Sequence, residues 1–347
     1  MSALPDFRSD NLAPALEAVV RAVADDHIAA LRTNVFAGSR FLESELDAGL
    51  SVCFARDVES IPVVTGTAAN ALALAALVPG DGAIFCHEHA HIRGWEAGAY
   101  AFYSPGTRLI ALPGAGAKID PNAAQAAIAA FRVKEPATRA AISLTQSTER
   151  GANYTPAEIA ALGAIAHEAD IGVHMDGARF GHAVAALGVT PAETSWRAGV
   201  DVLSFGTSKL GSLNAEAIVI FDRVRRAQFA DPVKRAGHKL SKRRDLAVQI
   251  LAILDGDRWI ASAAHANNLA RRFADGLAAL GLPCAEPVDG NQIFVPLSAA
   301  LAAKLTQAGL QLLEWTEPGL HRFVFAHHHA ESDVDRAIDL VRHCVRP

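Results

Sequence analysis

Aromatic residues are scarce in this chain, at 6% of 347 positions, and methionine occurs only twice. A core short of rings is filled by aliphatic side chains and alanine, which favours numerous, closely packed helices. Cysteine is sparse too. Cys53, Cys86, Cys284 and Cys344 form no CxxC and no close pair, which excludes a disulfide framework and reads as a reduced, intracellular set of core residues. There is no basic excess: the formal net charge is -5, so nothing in the charge balance calls for nucleic acid. No apolar run approaches the roughly 20 residues needed to cross a bilayer. The N-terminus carries Pro5, Asp6 and Asp10 where a secretory leader needs a basic flank and an apolar stretch. A soluble cytoplasmic protein, without membrane or nucleic-acid partners, is expected.

What the chain has is apolar surface, 51% of its residues, arranged in short runs between helical patterns. Ile61–Val64, Ala83–Cys86, Arg108–Leu112, Ala140–Leu144, Ile171–Asp176 and Val200–Leu203 read as strands. Helical segments intervene at Ala71–Leu77, Pro121–Arg132 and from Thr155-Pro156-Ala157-Glu158, a capping signature, to about Ala169. Such alternation predicts an α/β fold whose mainly parallel sheet is covered by helices on both faces. After Asp255-Gly256-Asp257 the order changes to a long helix, a strand at Gln292–Val295, a helix, a strand at Arg322–Phe325 and a closing helix. The expected division is an N-terminal segment and large domain at 1–255, and a smaller α+β domain at 256–347.

Polar groups gather where strands end. After Val200–Leu203 comes Ser204-Phe205-Gly206-Thr207-Ser208-Lys209-Leu210-Gly211, a turn with one lysine among small residues. Lys209 is either a surface lysine or, if the turn is dry, an amine nucleophile toward carbonyls. Thr65-Gly66-Thr67-Ala68-Ala69-Asn70 joins a strand to a helix, so Gly66 and Thr67 stand at a simple cap or at a phosphate nest. Asp176, at the end of Ile171–Asp176, needs a cation: Arg179 nearby, or a positively charged ligand. His87, His89 and His91 follow another strand. They invite a zinc-hydrolase reading but lack a recognised ligand spacing, and His91 is better placed as a ligand-facing loop histidine. Asp10 and Asn11 read as helix caps, the basic stretch Phe221–Arg244 as a solvated face, and His327, His328 and His329 as an exposed turn.

Three strand ends therefore carry, in chain order, a phosphate nest at Gly66-Thr67, a carboxylate at Asp176 and an amine at Lys209. That is what pyridoxal 5'-phosphate requires: a lysine for its aldehyde, an acid for its pyridine nitrogen and a nest for its phosphate. With Arg8-Ser9-Asp10-Asn11, the segment from His91 to Gly98, His174-Met175-Asp176-Gly177-Ala178-Arg179, Ser208-Lys209 and Arg322-Phe323-Val324, the chain resembles the threonine aldolases. These belong to the fold-type I pyridoxal-phosphate enzymes of the aspartate aminotransferase superfamily, and the likeness runs over nearly the whole chain.

The resemblance implies that Lys209 carries the cofactor, Asp176 meets its ring nitrogen and His91 stacks on the ring near the substrate hydroxyl, as first candidate for handling its proton. Gly66, Thr67 and Ser208 take the phosphate. Ser9, Arg179 and Arg322 hold the amino-acid carboxylate, with Arg179 also near the phenolic oxygen. A basic residue near Arg235 and Lys242, represented here by Lys242, reaches the phosphate of a neighbouring subunit, implying a homodimer or homotetramer. The implied reaction is retro-aldol cleavage of threonine, allo-threonine or phenylserine to glycine and an aldehyde. The same constellation also serves β-eliminating lyases, aminotransferases and racemases. Two features depart from the family. Gln146-Ser147-Thr148-Glu149 stands where many relatives have a Thr-His pair, and Val35-Phe36-Ala37-Gly38 where many have Tyr-Gly-Asp. Whether Glu149 takes over from the missing histidine, and which β-hydroxy amino acid is preferred, stay open at this level.

Overall fold

Strand β1 (Glu59–Val63) contains Pro62, which has no N–H to give a ladder, and the sheet accommodates it by placing β1 at an edge. The computed structural model describes residues 4–33, 39–221 and 227–345. The segment at 35–38 and the arginines at 223, 225 and 226, singled out above, lie outside the described residues. The other strands of the main sheet are β2 (Ala83–His87), β3 (Arg108–Leu112), β4 (Ala140–Thr145), β5 (Gly172–Gly177), β6 (Val202–Gly206) and β7 (Glu216–Ile220). Their order is β1-β7-β6-β5-β4-β2-β3, and only β7 runs antiparallel to its neighbours. Thr145 pairs with Asp176 and Asp176 with Ser204, so the ends of three adjacent parallel strands are level.

Side-chain alternation gives the sheet two apolar faces. Phe85, Ile142, Met175, Leu203 and Phe205 enter one core; Ile84, Cys86, Ala141, Val202 and Ile218 enter the other. Helices cover both faces, and their starts follow local chemistry. Thr65 caps Gly66–Leu77 by accepting the N–H of Ala68, Asp120 caps Pro121–Lys134, and Thr155 with Glu158 closes a capping box on Pro156–Glu168. Gly206 is needed where β6 crosses the turn after β5, since a Cβ there would stand 2.7 Å from the Ala178 Cα and 2.8 Å from its carbonyl oxygen.

A second, antiparallel sheet has the order β8 (Gln292–Pro296), β10 (Leu320–Val324), β9 (Leu313–Glu314). Helices Arg258–Ala278 and Glu331–Val345 pack on it, with Phe273, Val295, Phe323 and Phe325 at the centre of that core. Phe7 joins the same core, and its carbonyl accepts the Val324 N–H at 2.6 Å. The N-terminal segment is thereby carried across to the C-terminal sheet. Among the described residues no helix is long and apolar enough to cross a membrane.

The histidines after β10 correct one expectation. Only His328 is exposed; His327 is half-buried, and His329 is buried with its ring 4.8 Å from that of Phe7. Burial pushes His327 and His329 down to about 4, and it does the same to His174 (about 4) and His182 (about 3) inside the large core. Below the ordinary histidine pKa of about 6.5 the unfolded chain takes up protons that these folded sites refuse. Stability is therefore expected to fall as pH drops from about 6.5 toward 4, at up to roughly 1.4 kcal/mol per pH unit for each histidine. Urea unfolding at about pH 7.5, 6 and 5 measures this; a constant midpoint over that range would contradict it.

Candidate active site

A cleft of about 340 Å³ opens at the carboxyl ends of β4, β5 and β6, lined among others by Gly66, Thr67, His91, Asp176, Arg179, Ser208 and Lys209. This is where open parallel sheets bind ligands. A larger depression of about 720 Å³ lies against helix Pro121–Lys134, but its Arg132 is spent on the carbonyls of Thr138, Ala169 and Asp170. It offers no convergent reactive groups.

Asp176 lies at the floor of the cleft, 3% exposed. Its Oδ1 accepts the Ala178 N–H at 3.0 Å and its Oδ2 the Asn70 amide at 2.9 Å. Arg179 does not pair with it, contrary to one of the two sequence expectations. The Arg179 guanidinium instead donates from Nε and Nη2 to the two oxygens of Asp10, both at 2.8 Å. Asp10 is therefore no solvated cap but the buried partner of Arg179. Burial raises its pKa, yet the nearby Arg179 and Lys209 charges outweigh this and hold it below the ordinary range. Asp176 is left as a buried carboxylate with two neutral donors and no ion-pair partner among the described residues.

His91 begins a short helix after β2, and its Nδ1 meets the buried carboxylate of Glu96 at 2.8 Å. The same Glu96 oxygen accepts from Asn70 at 2.8 Å, so a single amide bridges Glu96 and Asp176. Burial works against a charge on His91, but the Glu96 bond and the fields of Asp176 and Glu149 raise its pKa overall. One face of the His91 ring stacks on Trp95 (centroids 5.9 Å), Trp95 on Trp315 (5.5 Å), and the Arg322 guanidinium lies 4.0 Å over Trp315. His87 and His89 are not part of this group. His87 is used up between the Gly114 carbonyl and the His89 N–H, so the histidine triplet does not converge as a zinc site. The metal-like grouping among the described residues is His91, Glu96 and Asp176, whose ligand atoms lie within 4.8 Å of one another.

Lys209 sits in a single 3-10 turn, Ser208–Leu210, directly after β6. The turn is fixed from beneath. Buried Glu216 accepts the Thr207 N–H at 2.6 Å and the Ser208 hydroxyl, and burial raises its pKa against those bonds. The Ser208 hydroxyl therefore gives its proton to Glu216 and, so arranged, has only acceptor capacity to offer elsewhere. Ser9 caps the Asn11 N–H at 3.2 Å. Among the described residues Arg322 donates only to the Arg8 carbonyl, at 3.3 Å, and its buried Nε has no partner; burial with the nearby Arg179 charge pushes its pKa down to about 10. Lys242 and Arg235 are exposed and do not line this cleft.

These groups fit a pyridoxal phosphate. Asp176 lacks a cation, which a protonated ring nitrogen provides. The Gly66 and Thr67 N–H groups, at the open N-terminus of a 12-residue helix, suit a phosphate. Lys209 lines the cleft with no hydrogen-bond partner among the described residues. Asn70 and Glu96 carry no role in the sequence reading, Asp10 reads there only as a cap, and Glu149 is left open as a replacement for the missing histidine. Their only signal was a polar residue inside an otherwise apolar or turn segment.

Sheet order and cleft together define a fold-type I pyridoxal-phosphate enzyme architecture. The chain superposes on a threonine aldolase structure from Leishmania major with a TM-score of 0.87 at 20% identity, covering 99% of this chain and 100% of that one. It also superposes on a variant aspartate aminotransferase from Thermus thermophilus (TM-score 0.68, 16% identity, 99% and 97% covered). Residues 6–300 match the beta-eliminating lyase family, to which the chain belongs. It is 38% identical, over 83% of either chain, to a low specificity L-threonine aldolase of Pseudomonas aeruginosa.

Proposed function

We propose that this protein is a pyridoxal-phosphate-dependent aldolase that cleaves L-threonine, L-allo-threonine or related β-hydroxy-α-amino acids to glycine and an aldehyde. The observation that carries it is the meeting, in one cleft, of an unpartnered lysine, a buried acid without a cation and an open helix N-terminus. The likeness to the Pseudomonas aldolase supports the substrate class. Pyridoxal phosphate, when bound, supplies the electron sink for negative charge at the substrate Cα.

The chain's residues do the rest. Lys209 tethers the cofactor's aldehyde carbon, and Asp176, positioned by Asn70, keeps the ring nitrogen protonated. His91, backed by Trp95 and oriented by Glu96, would be the side chain that holds the cofactor's ring. Gly66 and Thr67 hold the phosphate through their N–H groups, and Ser208 joins them by turning its hydroxyl proton away from Glu216. Arg322, Arg179 and Ser9 grip the substrate carboxylate. Since Asp10 occupies two of Arg179's nitrogens, Arg322 makes the stronger contact. A fixed carboxylate orients the Cα–Cβ bond for cleavage. Lys242, exposed on its own protomer, serves the phosphate of a second copy in a homodimer or homotetramer. Cytoplasmic residence accords with four unpaired cysteines.

The purified protein is expected to be yellow, to bleach with borohydride, and to turn threonine into glycine and acetaldehyde. Ammonia with an oxo acid would assign β-elimination instead, and silence with both threonine and phenylserine would overturn the aldolase reading.

A further inference from the structure

The turn after β4 carries a carboxylate for which the fold has no structural use. Every side chain around it is spent on holding the turn. The Ser147 hydroxyl donates to Asn153 at 2.5 Å, and the Thr148 hydroxyl donates to the Gly116 carbonyl at 2.7 Å while accepting the N–H groups of Arg150 and Ala152. Arg150 is clamped by Glu286 at 2.6 Å and Glu317 at 2.5 Å. Glu149, between them, is 6% exposed, lines the cleft beside His91, Asp176, Arg179 and Lys209, and has no hydrogen-bond or ion-pair partner among the described residues. His91, Arg179 and Arg322 all feel its charge. Burying a lone carboxylate is costly, so a turn built to hold one toward a cleft points to a ligand group that it receives.

Three polar groups of a β-hydroxy amino acid must be met. Its carboxylate goes to Arg322 and Arg179, and its amine would be met by the cofactor that Lys209 would hold. The β-hydroxyl remains. Among the described residues of the cleft, Glu149 is the carboxylate with neither oxygen engaged; Glu96 Oε2 and Asn70 Oδ1 also lack partners, but those side chains are tied to His91 and Asp176 through their other atoms. His91 is less suited, because its Nδ1 is held by Glu96 and one ring face by Trp95, leaving the other face for the cofactor. We propose that Glu149 is the base that takes the β-hydroxyl proton, an inference that rests on the aldolase reading above. The O–H bond breaks, its proton passes to a Glu149 oxygen, and its electron pair becomes the second bond of the departing aldehyde's carbonyl. The Cα–Cβ pair stays with the glycyl fragment, which takes up one proton to leave as glycine.

The test compares wild type with Glu149→Gln and Glu149→Asp, all loaded with pyridoxal phosphate, by three readouts: the visible band, acetaldehyde release from threonine, and exchange of the glycine α-proton in heavy water. Exchange needs the cofactor and a base at Cα but no β-hydroxyl. Glu149→Gln is expected to lower kcat for threonine by roughly 100- to 1,000-fold, the usual worth of a general base. The visible band and glycine exchange should stay within about threefold of wild type, with Glu149→Asp intermediate in cleavage. Cleavage within about threefold of wild type in Glu149→Gln, or loss of exchange in step with cleavage, would overturn the assignment. A colourless wild type that neither exchanges glycine nor cleaves threonine would overturn the aldolase reading and this role with it.

Discussion

Lys209→Ala is expected to abolish the yellow colour and to lower kcat for threonine by about a thousandfold or more, some 4 kcal/mol in activation free energy. The reason lies in how completely the rest of its turn is used. Thr207 bonds Ala215 and Ser212 through its hydroxyl and Glu216 through its N–H, the Ser208 hydroxyl goes to Glu216, and Leu210 is wholly buried. Gly211 then turns with φ of 117° against Leu16 and His327. A backbone so constrained projects one lysine amine into the cleft, without a hydrogen-bond partner among the described residues. Were Lys209 only a surface lysine, its removal would leave colour and rate alone. Lys209→Arg separates charge from chemistry, because a guanidinium keeps the positive field but forms no imine with the aldehyde. It should be as inactive as alanine. Unchanged circular dichroism and unfolding midpoint in both variants would place the loss in chemistry rather than in folding.

The chemistry of this site was more legible in sequence than its supports were. Lys209, Asp176, Gly66 and His91 each stand at a strand end with a recognisable neighbourhood, and the fold brings them to one cleft because β4, β5 and β6 end level. The supports come from distant sequence. Asp10 meets Arg179 across 169 positions, and Asn70 meets Asp176 across 106. A lone aspartate near a terminus looks like a helix cap until its partner is known, which is why Asp10 was read that way. Strand β7, with Glu216 beneath the lysine turn, escaped because its five residues sit between a glycine-rich turn and a basic run, with no period long enough to distinguish strand from helix. The two-residue β9 is shorter still; its pairing with β10 brings Trp315 near Arg322 without any local signal.

Asp10→Ala is expected to lower the unfolding free energy by about 3–5 kcal/mol, the range found when a buried ion pair loses one member. Asp10 is 1% exposed, binds the Arg179 fork at two 2.8 Å bonds and also accepts the Asn291 amide at 3.0 Å. Without it the buried guanidinium keeps its charge, because arginine does not deprotonate in proteins, and among the described residues no second carboxylate stands in ion-pair distance of it. The pair links the N-terminal segment to the turn after β5, while Asn291, beside β8, joins the Phe325 carbonyl to the same carboxylate. Its loss should therefore loosen the contact between the two sheets' ends rather than a single turn. The pH dependence has a defined sign. Asp10 has a folded pKa below the unfolded value of about 3.9, so its contribution is complete above that value and is lost only as pH falls beneath it. Wild type and Asp10→Ala should differ by a constant amount from about pH 5 to 8, converging only in strong acid. The histidine contribution between pH 6.5 and 4 is common to both and cancels in the difference. Asp10→Ala combined with Arg179→Met is expected to recover part of the stability, since the uncompensated charge is then gone. Urea unfolding of the four members of that cycle decides it: a single-variant loss under about 1 kcal/mol, or no recovery in the double variant, would mean that the buried pair is not what holds these elements together.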